Sequence, residues 1–236
     1  MDIPADAAGA ETLEIMRAAP QYNQWQYAAI APYIGQRVLE VGSGVGNISE
    51  HILRAPRQLV VLTDTDPWYC DQLRARFNKQ ARIELLTLPD HGAPQRFAAD
   101  RLDTIIALNV VEHIEDDIGT LSTMKEMAVP GGRVIVLVPA LKVLYGSLDR
   151  ELGHFRRYTK KSLSLAFERS GLQLESLRWF NRVGVLGWWF NGRVRKTSRI
   201  PISQLRAFDA LIPAVRLEEA VPLPFGLSLI AVGKRR

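Results

Sequence analysis

The sequence predicts an α/β fold of the doubly wound kind, on three observations. Apolar, β-branched or leucine-rich runs bounded by turn signals recur along the 236 residues, and helix-length stretches separate them. The runs are nearly continuous in apolar character, as strands buried on both faces of a parallel sheet must be. A glycine-rich loop, VGSGVGN, follows the first of them. With 47% hydrophobic and 23% charged residues, the composition provides a sizeable core and excludes disordered, collagenous and coiled-coil chains. One domain over 1–236 is the expectation.

In chain order, 1–35 reads as an N-terminal helical cover, most regular over 11–34, carrying Tyr22, Asn23, Trp25 and Tyr27. RVLEV (37–41) is the first strand, and a helix over 46–54 follows its glycines. QLVVLTD (58–64) leads through Asp66, the helix-capping candidate, into a helix over 67–80. RIELLTL (82–88) and LDTIIAL (102–108) are the next strands. A helix over 115–128 meets a stop at Pro130-Gly131-Gly132, before GRVIVLV (132–138). Thr159 caps a further helix that Gly171 ends, and LQLESLRWF (172–180) is its strand. Residues 181–225 break the alternation. There Leu205, Phe208, Leu211, Ile212 and Val215 fall at amphipathic helical spacing, so two helices are expected as an insert before the last strand, GLSLIAVGK (226–234).

Charge divides the chain. Residues 1–150 hold 14 Lys and Arg against 19 Asp and Glu, whereas 151–236 hold 16 against 6. The basic end points to an anionic partner, with solvated surface charge as the alternative. Trp188, Trp189 and Phe190, followed by Arg193, Arg195, Lys196 and Arg199, suit either a peripheral membrane contact or a lid over an amphiphilic acceptor. The single cysteine, Cys70, can form neither an internal disulfide nor a multi-cysteine metal centre, and no metal site is assigned. No signal-peptide pattern or membrane-length apolar run is expected. The expected location is cytoplasmic, with contact at the inner membrane face as a further reading.

The chemistry starts at Gly42, Gly44 and Gly46. Their G-x-G-x-G spacing puts Asn47 where a dinucleotide fingerprint has its last glycine. Glu40 precedes them, an anion that opposes a pyrophosphate and suits a cationic ligand. Asp64, ending the second strand, is placed to accept ribose hydroxyls, with Thr65 beside it.

These residues resemble the class I S-adenosylmethionine-dependent methyltransferases, specifically their bacterial type-11/type-12 small-molecule branch, over about residues 20–178 and the last strand. The resemblance implies a Rossmann-like seven-stranded sheet with an antiparallel last strand, and S-adenosylmethionine as cofactor. It puts Glu40, Gly42, Gly44 and Gly46 at the methionine moiety and Asp64 at the ribose. The segment ALNVVEHIEDD (107–117) matches the family's fourth-strand end, making Asn109 a cofactor neighbour, and the Pro-Gly-Gly turn matches too. Where the family offers an acid to the adenine this chain reads TLPDHG (87–92), leaving Asp90 for that role. Tyr22, Asn23 and Trp25 would close over the cofactor as a lid.

Loops at the carboxyl ends of parallel strands line the ligand crevice, which brings forward LYGSLDRELGHFRRYTKKSL (144–163). His154 is the candidate base for an acceptor hydroxyl or amine, with His113, beside Glu112, as the second. Arg156 and Arg157 can grip an anionic acceptor, or pair with Asp149 and Glu151, and Tyr158 and Trp188 complete a substrate-binding set. The G-x-x-R-R-Y loop resembles a subgroup of uncharacterised bacterial methyltransferases. The expected activity is in-line methyl transfer from S-adenosylmethionine to a small-molecule or lipid-linked, anionic acceptor, at oxygen or nitrogen. The competing readings are a non-catalytic S-adenosylmethionine-binding partner subunit and a nicotinamide-dependent oxidoreductase. Nucleic acid is not an expected partner.

Overall fold

The computed structural model describes residues 7–191, 202–220 and 223–236. Seven strands form one sheet: β1 (Arg37–Val41), β2 (Leu59–Asp64), β3 (Arg82–Leu85), β4 (Leu102–Leu108), β5 (Ala128–Pro139), β6 (Gln173–Phe180) and β7 (Ser228–Lys234). Their order is β3-β2-β1-β4-β5-β7-β6. β1 to β5 pair in parallel, and β7 lies between β5 and β6, antiparallel to both. The expected antiparallel last strand is therefore present. The chain winds outward from β1 to β3 and then returns to β4, so a ligand crevice opens where β1 and β4 part at their carboxyl ends.

The continuous apolar runs have a direct structural counterpart. Val38, Val60, Ile106 and Ile135 fill one core, while Leu39, Val61, Ile105 and Val134 fill the other. The first core is covered by α2 (Pro20–Ile30), α3 (Ser49–Arg54), α4 (Pro67–Phe77) and α10 (Ile202–Val215). The second is covered by α5 (Ala93–Arg96), α6 (Asp117–Met127) and α8 (Lys160–Arg169). α1 (Ala7–Arg17), α7 (Ser147–Glu151) and α9 (Gly184–Trp189) complete the α-helices of the described residues. Asp66 caps α4 by accepting from the Trp68 amide at 2.8 Å, and Thr159 caps α8 by accepting from Ser162 at 3.0 Å.

The expected boundaries shift where local geometry competes with pattern. β3 stops at Leu85 because it is an edge strand paired only to β2, after which Leu86 and Leu88 turn inward and bury. Pro130-Gly131-Gly132 is not a helix stop. α6 ends at Met127, and the three residues lie within β5, beside a register shift against β4, where the Gly131 amide donates to the Arg235 carbonyl at 2.8 Å. The N-terminal cover is two helices, broken ahead of Pro20. In the insert, Leu205, Ile212 and Val215 of α10 pack onto α2, but Leu211 points outward and is exposed. The basic residues Arg193, Arg195, Lys196 and Arg199 lie outside the described residues.

Candidate active site

A cleft of about 1040 Å³ opens over the carboxyl ends of β1, β2 and β4. Its floor is the loop after β1. The backbone turns through positive φ at Gly42 and Gly44, +65° and +53°, conformations that a side chain strains. A Cβ on Gly42 would also sit 2.5 Å from Val110, and one on Gly44 2.7 Å from Leu13 of α1. Gly46 serves differently. It does not line the cleft, and its missing side chain lets α4 approach, since a Cβ would lie 2.5 Å from Phe77. Asn47 donates from its amide nitrogen to the Leu13 carbonyl at 2.9 Å, tying α1 across the loop.

Two carboxylates flank this loop. Glu40 is buried, accepts a hydrogen bond from the Ser49 hydroxyl, and is pushed up to about 7 by burial, which outweighs that bond. Asp64 accepts from the Gly44 amide at 2.9 Å and the Asp66 amide at 3.2 Å, so it braces the glycine loop as well as facing the cleft. Burial raises its pKa while these amides pull it back. Thr65 lines the cleft and shares a 2.6 Å hydrogen bond with Thr87. Beyond them Leu86, Thr87 and Leu88 form a largely apolar wall, and Asn109 and Val110 face it from the end of β4. Asp90 is not brought there. Because the chain has already turned away after β3, its carboxylate closes a local turn on the Gly92 amide at 2.8 Å.

The far end of the cleft holds the imidazoles. His113 and His154 meet edge to face with ring centroids 4.7 Å apart. His154 Nδ1 is 2.9 Å from Asp149 Oδ1, which also accepts from Arg157 Nε at 2.6 Å. Burial alone would raise the Asp149 pKa, but the His154 bond and the Arg157 charge outweigh it and hold the carboxyl below its ordinary value. Arg157 lies 4.7 Å over the Trp188 ring, and both residues line the cleft. Arg156 and Tyr158 do not. Both are held at Asp117, the first residue of α6, each at 2.8 Å. Tyr22 and Asn23 line the cleft, whereas Trp25 lies behind it, its ring 4.3 Å from that of Phe180. Asn47 and Asp149 escaped the sequence-based site. Asn47 acts through one contact to a distant segment, for which spacing gives no signal, whereas Asp149, foreseen only as an ion-pair partner of the arginines, gathers the Gly146 amide, His154 and Arg157 once its loop folds back.

A family model described as a methyltransferase domain matches residues 13–177, well over half the chain. The chain belongs to the methyltransferase domain family. Among curated relatives, this methyltransferase is 31% identical over 118 residues to a highly reducing polyketide synthase of Penicillium soppii. That match takes in 45% of this chain but only 5% of the synthase. Among solved structures, it resembles a chain of the complex between the Haloferax volcanii Trm112 methyltransferase activator and a methyltransferase. There the TM-score is 0.65 at 15% identity, with 99% of this chain and 97% of that one covered. It also resembles an S-adenosylmethionine-dependent methyltransferase from Mesorhizobium loti, with a TM-score of 0.61, 17% identity, and 90% and 98% coverage.

Proposed function

We propose that this methyltransferase carries the methyl group of S-adenosylmethionine to a small-molecule or lipid-linked, anionic acceptor, at oxygen or nitrogen. The observation that carries the reading is the polarity of one continuous cleft, with Glu40 and the glycine loop at one end and the paired imidazoles at the other. The chain fits the cofactor by donor chemistry. Glu40 offers an anion to an ammonium group, Asp64 and Thr65 offer oxygen atoms to ribose hydroxyls, and the Leu86–Leu88 wall offers an apolar face to a base. When bound, the cofactor supplies an electrophilic methyl group on a sulfonium. His154, its ring fixed by Asp149, is the acceptor-side group that activates the nucleophile. The rest of the cleft aligns donor and acceptor, an effect that can supply ~7–11 kcal/mol. The same Glu40 disfavours a nicotinamide dinucleotide, whose pyrophosphate would meet it.

Thermal unfolding with added ligands tests this. S-Adenosylhomocysteine at a hundred times its dissociation constant should stabilise the chain by ~2.7 kcal/mol, and NAD should leave the transition where it is. Labelled methyl transfer to candidate acceptors should then fall by about 10²–10⁴-fold in His154→Ala, with S-adenosylhomocysteine binding retained. Stabilisation by NAD alone would overturn the reading.

A further inference from the structure

Glu112 follows β4 in the short turn Val111–His113, and neither the fold nor cofactor binding accounts for its side chain. It is 0% exposed, and among the described residues neither carboxylate oxygen has a hydrogen-bond partner. A buried carboxylate left in that state is costly. The guanidinium of Arg157, the cation acting on it, is committed to Asp149 and to the Ala140 carbonyl. The coordinating atoms of Glu112, His113 and His154 all lie within 4.8 Å of one another.

We propose that Glu112, His113 and His154 bind one divalent transition-metal ion of the zinc class at the acceptor end of the cleft. The inference deepens the methyltransferase reading and rests on it. Two imidazoles and a carboxylate favour such an ion over magnesium or calcium, which prefer all-oxygen shells, and three protein ligands leave coordination positions open. His154 Nδ1 is engaged by Asp149, which leaves Nε2 to coordinate. A carboxylate on the second nitrogen is the arrangement that orients metal-binding imidazoles. Two ligands at ~2.1 Å from one ion are at most about 4.2 Å apart, so the three side chains must draw in by a few tenths of an ångström. His113 is the exposed member of the three. The two loops that carry the ligands are already joined by the Phe155 amide, which donates to the Glu112 carbonyl at 2.8 Å.

Such an ion narrows the acceptor to a hydroxyl compound. With the ion bound, His154 activates the nucleophile as a ligand of that ion and not as a proton acceptor: the hydroxyl oxygen takes an open position and loses its proton to water. An oxygen lone pair then forms the new bond to the methyl carbon, as the carbon–sulfur bond breaks with its electron pair retained on sulfur.

Full-length protein, stripped with a chelator, is titrated with Zn²⁺ by calorimetry and with Co²⁺ by visible absorption, with S-adenosylhomocysteine binding measured in parallel. One ion per chain is expected, with micromolar or tighter affinity and Co²⁺ bands of a nitrogen- and oxygen-ligated site. Glu112→Gln and His113→Ala should lose this site, and Asp149→Asn should weaken it by about 10–100-fold, all three still binding S-adenosylhomocysteine. His113 is exposed, so its replacement tests the site even if a change at buried Glu112 disturbs folding. Absence of stoichiometric binding in the parent chain, or binding unchanged in His113→Ala, would overturn the metal site. Failure of the parent chain to bind S-adenosylhomocysteine would instead count against the methyltransferase reading.

Discussion

Glu40 couples protonation to both folding and binding. Its folded-state pKa of about 7 lies above the ordinary 4.5, so between those values the folded chain holds a proton that the unfolded chain releases. The associated stabilisation is complete below pH 4.5 and is lost as pH rises through about 7. The ligand-free melting temperature should therefore fall over that interval, and Glu40→Gln should flatten the fall. An ammonium-bearing ligand prefers the ionised carboxylate, so S-adenosylhomocysteine should bind up to about fivefold more tightly at pH 7 than at pH 6. Calorimetry at the two values checks this, and an equal affinity would detach Glu40 from the ligand. At this scale the glycine loop was legible because Glu40, Gly42, Gly44 and Asp64 lie at strand ends, where the pattern fixes their direction. Asp90 was misleading: an edge strand stops when its pairing stops, and the alternation in RIELLTL carries no record of where that happens.

Between elements, α2 and α10 form the side of the cleft that the sequence described least. No side chain of its own caps α2 at Ala19. Asp209 of α10 supplies the missing acceptor, taking the Tyr22 amide at 2.8 Å and the Gln21 amide at 3.4 Å, and places a negative charge at the helix N-terminus. Asp209→Ala should cost ~1 kcal/mol, as loss of a local cap does, and should speed S-adenosylhomocysteine release because Tyr22 and Asn23 line the cleft. A chemical melt and a stopped-flow displacement measure the two effects, and unchanged values in both would mean that packing alone holds α2. The spacing of Leu205, Ile212 and Val215 announced α10 as an amphipathic helix. Its partner was not legible, because Asp209 and Tyr22 are far apart in the chain and periodicity describes one segment at a time.

At the scale of the whole molecule, part of the exposed apolar surface lies beside the acceptor end. Leu186, Trp189 and Phe190 are exposed next to Trp188 in the cleft, and no helix among the described residues is long and apolar enough to cross a membrane. We therefore expect salt-sensitive cosedimentation with anionic liposomes, each basic residue near the surface adding ~1 kcal/mol. Replacing Arg193, Arg195 and Lys196 with Ala should weaken it and spare S-adenosylhomocysteine binding. No cosedimentation at low salt would make the 181–225 segment an acceptor lid. The sheet was the most legible feature at this scale, since buried strands need long apolar runs, whereas its partners depend on surfaces that obey no such period. The place of β7 has a consequence for synthesis. Until residues 228–234 have left the ribosome, β5 offers an open apolar edge over Val134–Val138 and β6 has no neighbour to pair with. Leu227 and Ser228 also belong to the cleft wall, so a nascent chain can shape the donor end early, but it acquires a complete catalytic chamber only after that final insertion.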